Sequence, residues 1–426
     1  MKRSARAGDG KLQRALSIVL LMTFTFAAGS QAQDADPASS PHIVVLVSFG
    51  GFRWDYAARD GATNLLALGK SGASAPAGML PGFPASTWPN AWTLVTGLYP
   101  GHHGIVADQF FDPARKMRFS SDDPKAVADS SWFGGTPIWA LAEKQGIRTA
   151  CIDWPGCATD AGGARPTLMP NAKNAATGAA KVQQIAEWLR LPAANRPRLI
   201  AAYFGTVGEA GRRFGPDAPE TRAAVRSLDA ILGRLRTAIE ASHLPVNLIV
   251  VSDHGIAKSA GDWLTLEMQA DLTAFDTAGT FLYGKSDADS ERAYNQLKKA
   301  SADFLAYRLR SLPANLHATA NARFGDPVVI ALKPYALRVH AVSSGNAEIA
   351  PPMGIDGLNA QIVPEMKGIF FAAGPDIVKG RTVAPFENVN LYPWLAHLLD
   401  LTPPKNDGSL GILSGTLRDG GGDTGQ

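Results

Sequence analysis

The chain is predicted to adopt an α/β fold, because buried strand patterns alternate with amphipathic helix patterns along it. Three short runs of apolar and β-branched residues, at 43–48, 199–204 and 246–251, are typical of strands buried on both faces. Between the last two runs, apolar residues recur at steps of three and four from Val225 to Ile239, which predicts a helix packed on the sheet. This alternation favours a parallel sheet covered on both faces.

The first 32 residues have the layout of a secretory signal peptide. Basic residues between Lys2 and Arg14 precede an apolar run over 15–28, and Ser30-Gln31-Ala32 forms a small-x-small cleavage signal. The run is short for a membrane span, so we expect cleavage rather than an uncleaved anchor. The mature protein would then be periplasmic or secreted, without a stable membrane anchor, and would begin with a disordered lead-in over 33–41.

Removal of this leader changes the charge of the protein. The full chain carries a net charge of +3, and residues 1–32 hold five basic and one acidic side chain, which leaves −1 for the mature chain. The basic character therefore comes from the leader, and we expect no nucleic-acid partner.

The remaining patterns follow in chain order. A helix is predicted over 64–70, a strand over 147–152 and an amphipathic helix over 179–190. Residues of about 270–345 are less regular, with a charged helix from Ser290 to Arg310 and a strand-like run over 327–332. A Gly-rich tail over 411–426 closes the chain, and we expect disorder from Ser414 onward.

The chain contains two cysteines, Cys151 and Cys157, which flank a Pro-Gly turn. Export permits a disulfide between them, and the turn could bring the two ends together. A bridge and a pair of free thiols both stay open on sequence grounds. Two cysteines alone make no zinc site.

The most distinctive stretch places Thr87 between Pro84 and Pro89, directly before an apolar run that predicts a helix. The two prolines fix φ and stiffen the turn. A hydroxyl at the N-terminus of a helix is well placed to meet an anion or an electrophile. On this local pattern alone, a Pro-rich connecting loop whose Thr87 merely caps the helix is the favoured interpretation.

Motifs along nearly the whole mature chain extend this observation. They are Phe83-Pro84-Ala85-Ser86-Thr87-Trp88-Pro89-Asn90, Trp132-Phe133-Gly134-Gly135, Trp154-Pro155-Gly156, Ser252-Asp253-His254-Gly255 and Pro385-Phe386-Glu387-Asn388. In this order they resemble the type I phosphodiesterase/nucleotide pyrophosphatase family of the alkaline phosphatase superfamily. The resemblance implies an alkaline phosphatase-like α/β/α sandwich over 42–410, with a smaller α+β insertion at about 270–345. It also implies a phosphodiester substrate, two zinc-like ions and Thr87 as the nucleophile.

The resemblance further implies six metal ligands besides Thr87, of which four are replaced here. Asp253 and His254 match two of the ligands, and as the residual set they could hold zinc if a metal is retained. Without a metal, they could persist as a hydrogen-bonded turn. The four replacements are Gly50, Gly208, Arg212 and Met353.

Three more positions follow from the resemblance. Asp108 stands where relatives place a phosphate-binding Asn, and an ionised carboxylate would repel phosphate. Trp88 and Tyr203 match positions that contact substrate. We expect Arg212 to occupy the vacated metal space and to pair with Asp253, Asp108 or both, since a guanidinium suits such partly buried pairs.

These changes favour an exported, catalytically degenerate family member that binds a ligand or partner through its cleft. A nucleotide or another small molecule is the candidate ligand, and no cofactor is expected. Two alternatives stay open: an active phosphodiester or pyrophosphate hydrolase that uses Thr87 with a rebuilt metal site, and a structural envelope protein. The sequence identifies neither a protein partner nor an oligomeric state.

Overall fold

The computed structural model describes residues 42–170, 177–318, 321–340 and 350–418. The predicted signal peptide and lead-in lie outside the described residues. The described part contains no helix that is both long and apolar enough to cross a membrane.

A central sheet of seven strands organises the chain. Its strands are β1 (Ile43–Phe49), β2 (Ala73–Ser74), β3 (Thr149–Ile152), β4 (Leu199–Phe204), β5 (Val246–Val251), β6 (Phe370–Ala373) and β7 (Arg381–Thr382). They lie in the order β7-β2-β6-β5-β1-β4-β3. Strands β3, β4, β1 and β5 are parallel, whereas β6 runs antiparallel to β5 and β2. The sheet is therefore mixed, and the predicted parallel arrangement holds for its four main strands.

Helices cover both faces of this sheet. They are α1 (Tyr56–Arg59), α2 (Thr63–Ser71), α3 (Thr87–Thr96), α4 (Pro100–His103), α5 (Pro124–Ala128), α6 (Ile138–Lys144), α7 (Gly178–Leu189), α8 (Thr206–Phe214), α9 (Pro219–Ser242), α10 (Asp287–Ala300) and α11 (Leu391–Leu398). Alternate side chains of β1 enter two different apolar clusters, because successive residues of a strand point to opposite faces. One cluster includes Val44 and residues of α3, and the other includes Val45 and residues of α7 and α9.

Short strand pairs lie outside the central sheet, and some of them form the segment that was predicted as an insertion. They are Met79–Leu80 with Phe386–Glu387, Gln109–Asp112 with Met117–Ser120, Ala257–Lys258 with Gly354–Ile355, Leu264–Thr265 with Leu337–Arg338, Phe275–Ala278 with Phe281–Gly284, and Phe304–Tyr307 with Val328–Ala331. The charged helix predicted to end at Arg310 stops at Ala300, and the chain turns back as a strand. Arg308 is instead buried by an ion-pair network with three acidic side chains.

The C-terminal segment is folded further than its composition suggested. Leu413 and Leu417 are buried, and the Trp394 indole N–H donates to the Thr416 hydroxyl at 3.0 Å. The expected disorder from Ser414 is therefore wrong for residues 414–418, because two leucines anchor a stretch that is otherwise rich in glycine. Residues 419–426 lie outside the described part of the chain.

Cys151 and Cys157 form a disulfide, which resolves the two alternatives left open by the sequence. Cys151 lies on β3, and Gly156 adopts a positive φ of 84° in the turn between the cysteines. Glycine adopts this backbone conformation without strain.

The register of the parallel strands brings the predicted site together. Ser48 on β1 pairs with Tyr203 on β4 on one side and with Val251 on β5 on the other. Gly50, Tyr203 and Asp253 therefore meet where the carboxyl ends of three adjacent strands lie side by side. Ligand sites in open α/β sheets form at such strand ends.

Candidate functional site

Thr87 is the first residue of helix α3, and its hydroxyl faces a histidine. The Thr87 Oγ1 lies 3.1 Å from the Nε2 of His254. The Nδ1 of His254 lies 2.7 Å from the carbonyl oxygen of Gly255. Because a carbonyl oxygen only accepts, Nδ1 carries a proton, and Nε2 is the ring atom that faces the threonine hydroxyl. His254 is completely buried.

Asp253 is the centre of a buried hydrogen-bond network. Its Oδ1 accepts the backbone N–H groups of Gly51 and His254, both at 2.9 Å. Its Oδ2 accepts the hydroxyl of Tyr203 at 3.1 Å. Burial, followed by the charge of Asp253, raises the pKa of Tyr203 well above its ordinary value, so the tyrosine stays protonated and donates.

The Tyr203 side chain fills the space that a side chain at position 50 would need. A Cβ atom added to Gly50 would lie 1.9 Å from the Tyr203 hydroxyl oxygen, a distance that no pair of unbonded atoms tolerates. A carboxylate at position 50 therefore cannot coexist with this tyrosine conformation. The hydroxyl occupies the space in front of Gly50, where the resemblance implies a metal ligand, and donates to Asp253.

The second glycine, Gly208, allows helix α8 to approach the end of β1 closely. Its N–H donates to the Gly50 carbonyl oxygen at 2.9 Å, and an added Cβ atom would lie 3.0 Å from the same oxygen. Gly51, whose φ is +69°, would meet the Cα of Gly208 at 2.5 Å if it carried a side chain. Backbone packs against backbone here, which only glycines permit.

The predicted pairing of Arg212 is wrong. Its Nη1 donates to the Oδ2 of Asp356 at 2.8 Å, and no direct bond to Asp253 or Asp108 is found within the described chain. Asp356 can reach Arg212 because the segment that carries Asp356 returns next to α8. The Met353 N–H donates to the Arg212 carbonyl oxygen at 3.1 Å. Asp356 was not among the predicted site residues, although it follows Met353, one of the four replacements, by three positions.

We expect a double-mutant cycle to locate the partner of Arg212. The Arg212–Asp356 pair is 39% and 23% exposed, so solvent screening limits its coupling energy to about 0.5–1 kcal/mol. Cycles of Arg212→Met with Asp356→Asn and with Asp253→Asn, read by urea unfolding, should give that coupling for the first pair and less than about 0.3 kcal/mol for the second. A larger coupling with Asp253 would restore the original prediction.

Asp108 caps the same threonine-bearing helix. Its Oδ1 accepts the backbone N–H of Trp88 at 3.0 Å. Burial, followed by the charge of Asp356, raises the pKa of Asp108 to about 6. The carboxylate thus occupies the position at a helix N-terminus where an anionic ligand would otherwise bind.

Two predicted positions remain, Trp88 and Met353. Trp88 packs edge-on against Phe119, with ring centroids 5.7 Å apart, and tilted against Phe133 at 6.2 Å. Its ring is thus largely used in packing. The Met353 side chain is 53% exposed and reaches no site residue by a hydrogen bond.

The residues present do not fit a pair of zinc-like ions. Catalytic zinc takes three protein ligands, and among the described residues no group of three or more His, Cys, Asp or Glu could hold a metal ion. Both oxygens of Asp253 already accept hydrogen bonds from protein donors, and the Nε2 of His254 faces the hydroxyl of Thr87. Asp253 and His254 lie in a hydrogen-bonded turn, and retention of a single zinc by this pair stays a prediction.

Comparison with known proteins adds evidence independent of this geometry. The family model for type I phosphodiesterase / nucleotide pyrophosphatase matches residues 44–341. The chain is 34% identical over 385 residues to an uncharacterised pyrophosphatase/phosphodiesterase of Schizosaccharomyces pombe, covering 86% of this chain and 78% of that protein. It is 30% identical over 404 residues to ectonucleotide pyrophosphatase/phosphodiesterase family member 7 of Mus musculus, covering 90% and 89% of the two chains.

A solved structure matches as well. Murine ectonucleotide pyrophosphatase/phosphodiesterase 5, an inactive variant in complex with AMP, superposes with a TM-score of 0.80 at 27% sequence identity. The match covers 88% of this chain and 100% of that structure. The alkaline phosphatase-like α/β fold expected from the sequence is therefore confirmed. The names of the ectonucleotide relatives also indicate proteins that act outside the cell.

Proposed function

We propose that this chain, which belongs to the type I phosphodiesterase / nucleotide pyrophosphatase family, is a catalytically degenerate member that binds a small ligand in its cleft. The proposal includes export to the periplasm or the medium, as the N-terminal leader pattern suggests. Metal ions supply several kcal/mol of transition-state stabilisation in two-metal phosphoryl transfer. Phosphate esters are among the slowest substrates to hydrolyse unaided, so a site without that contribution would turn over very little.

The observation that carries the proposal is the hydroxyl of Tyr203 in front of Gly50. It fills the place of a missing ligand and donates to Asp253, which is the surviving carboxylate. A site that had merely lost ligands by drift would leave Asp253 without a partner. Here every oxygen of that carboxylate is bonded to a protein donor, which is what a stable metal-free arrangement requires.

The ion pair of Arg212 and Asp356 supports the same proposal on the other side of His254. The Oδ2 of Asp356 lies 3.9 Å from the Nε2 of His254 and 2.8 Å from the guanidinium of Arg212. A fixed cation here replaces the positive charge that a metal would supply, but it brings no open coordination position. Substrate activation by a Lewis acid is therefore lost with the ligands.

One contact favours a second candidate, a hydrolase without metal ions. The hydroxyl of Thr87 lies 3.1 Å from the Nε2 of His254, and a nucleophile within reach of a base is the signature of covalent catalysis. Against it stands Asp108, which already accepts the Trp88 N–H at the helix N-terminus, where a developing negative charge would need that donor. A structural envelope protein remains the third alternative.

Turnover and metal content separate these candidates. Purified protein should release p-nitrophenol from bis(p-nitrophenyl) phosphate no faster than its Thr87→Ala variant, with or without added zinc, because both lack a metal-activated nucleophile. Metal analysis after exchange into chelator-free buffer should find less than about 0.1 zinc per chain, since two ligands hold zinc weakly. Turnover that disappears in Thr87→Ala would establish the hydrolase instead. Absence of both turnover and ligand binding would favour the structural role.

A further inference from the structure

A large cavity opens beside the site, between the body of the protein and the insertion. Its volume is about 400 Å³, within the range of small-molecule sites. Apolar side chains dominate its walls, among them Phe83 from the body and Phe281, Ile330 and Leu337 from the insertion. A ligand of this cavity therefore has a sizeable apolar or aromatic body.

Three charged residues line the same cavity: Asp108, Arg212 and Asp356. Arg212 is bonded to Asp356 at 2.8 Å, and Asp108 belongs to the same lining. One guanidinium therefore faces two carboxylates, which gives the lining a net charge of −1 when both are ionised. The three groups make the cavity wall acidic where relatives of this family would bring a phosphate.

Two of the donors that could receive an anion already bind carboxylates. Arg212 donates to Asp356 at 2.8 Å, and the Trp88 N–H at the start of α3 donates to Asp108 at 3.0 Å. A phosphate that approached either of these donors would also approach the carboxylate bonded to it, and like charges repel. A cation meets the opposite situation, because Asp108 has one of its two oxygens free of any hydrogen bond within the described chain.

We propose that the cavity binds an organic amine, with its ammonium group at Asp108 and Asp356 and its apolar body against the walls of the insertion. This inference rests on the proposed ligand-binding function and assigns its ligand class. Ammonium groups carry three N–H donors, and charge-assisted hydrogen bonds to carboxylates are the stronger kind. The burial that raises the pKa of Asp108 also makes a nearby cation more effective, because screening by water is reduced.

Three probes that share one apolar body test this inference. Isothermal titration at pH 7.5 would compare 4-phenylbutylamine, 4-phenylbutanol and 4-phenylbutyl phosphate on the wild-type protein. We expect the amine to bind at least about tenfold more tightly than the alcohol, and the phosphate to bind more weakly than either. Tighter binding of the phosphate than of the amine would overturn the proposal, as would absence of amine binding at millimolar concentration.

The variant Asp108→Asn tests whether the carboxylate of Asp108 binds the ammonium group. Its amide oxygen can still accept the Trp88 N–H, so the fold around α3 is retained while one negative charge is removed. The amine should lose at least about tenfold in affinity and the alcohol less than about threefold. Asp122→Asn, which removes an exposed carboxylate elsewhere, should leave all three affinities unchanged. An unchanged preference for the amine in Asp108→Asn would count against the site, and the wild-type order is decisive by itself if that variant fails to fold.

Failure of this inference is distinguishable from failure of the proposed function. Phosphodiester turnover by the wild-type protein would refute degeneracy whatever the probes do. Preference for the phosphate probe without turnover would leave the degenerate, ligand-binding protein intact and refute only the amine.

Discussion

Replacing Asp253 by alanine is expected to lower the free energy of unfolding by about 3–5 kcal/mol. The carboxylate accepts the N–H groups of Gly51 and His254 and the hydroxyl of Tyr203, and all three donors are left buried without an acceptor when it is removed. An unsatisfied buried polar group costs about 1–3 kcal/mol. Urea unfolding under non-reducing conditions, followed by tryptophan fluorescence, measures the loss.

Asp122→Ala is the matched control, since Asp122 is an exposed carboxylate on a turn and should change stability by less than about 0.5 kcal/mol. The outcome also separates two kinds of carboxylate. In a metal site without its metal, removal of a crowded carboxylate relieves repulsion and stabilises the protein. A stabilised Asp253→Ala variant would therefore contradict the metal-free network.

Gly50→Ala is expected to destabilise the protein by about 2–4 kcal/mol, and Tyr203→Ala should remove that effect. The added Cβ atom would lie 1.9 Å from the tyrosine hydroxyl oxygen, so the ring must leave its position and Asp253 loses a donor. Gly50 does not have a positive φ, so alanine itself is tolerated by the backbone. The steric conflict is thus the main source of the loss.

The double mutant Gly50→Ala/Tyr203→Ala should be no less stable than Tyr203→Ala alone, which gives a coupling energy above about 2 kcal/mol. Gly261→Ala offers a contrast, because no atom lies within 4 Å of a Cβ atom added there, although its φ of +124° adds strain that a change at residue 203 cannot relieve. Additive effects of the first pair would show that the tyrosine hydroxyl does not hold this space.

The sequence predicted the architecture well because its signals are local and strong. The strands over 199–204 and 246–251 coincide with β4 and β5, since continuous β-branched runs are buried wherever they occur in an α/β sheet. Helix ends were predicted less accurately over 270–345. The charged helix was predicted to reach Arg310, but it ends at Ala300. A run of charged residues has no hydrophobic periodicity that would mark where a helix ends. Arg308 is buried because acidic side chains pair with it.

At the site, the motifs located the residues but not their contacts. Thr87, Asp253 and His254 meet as the resemblance implied, because strand ends and motif order determine their positions. The partner of Arg212 depended on how two distant loops approach, which no spacing along the chain reveals. The role of Tyr203 depended on an empty volume at Gly50, and a glycine in a sequence does not tell which neighbour will use its space.

The contact of Gly50 with Tyr203 also constrains which side chains position 50 can carry. An acidic residue there requires the tyrosine to leave its present position, because an added Cβ atom would lie 1.9 Å from the Tyr203 hydroxyl oxygen. Loss of the tyrosine alone would in turn deprive Asp253 of a donor. We therefore expect the effect of a substitution at either position to depend on the residue at the other.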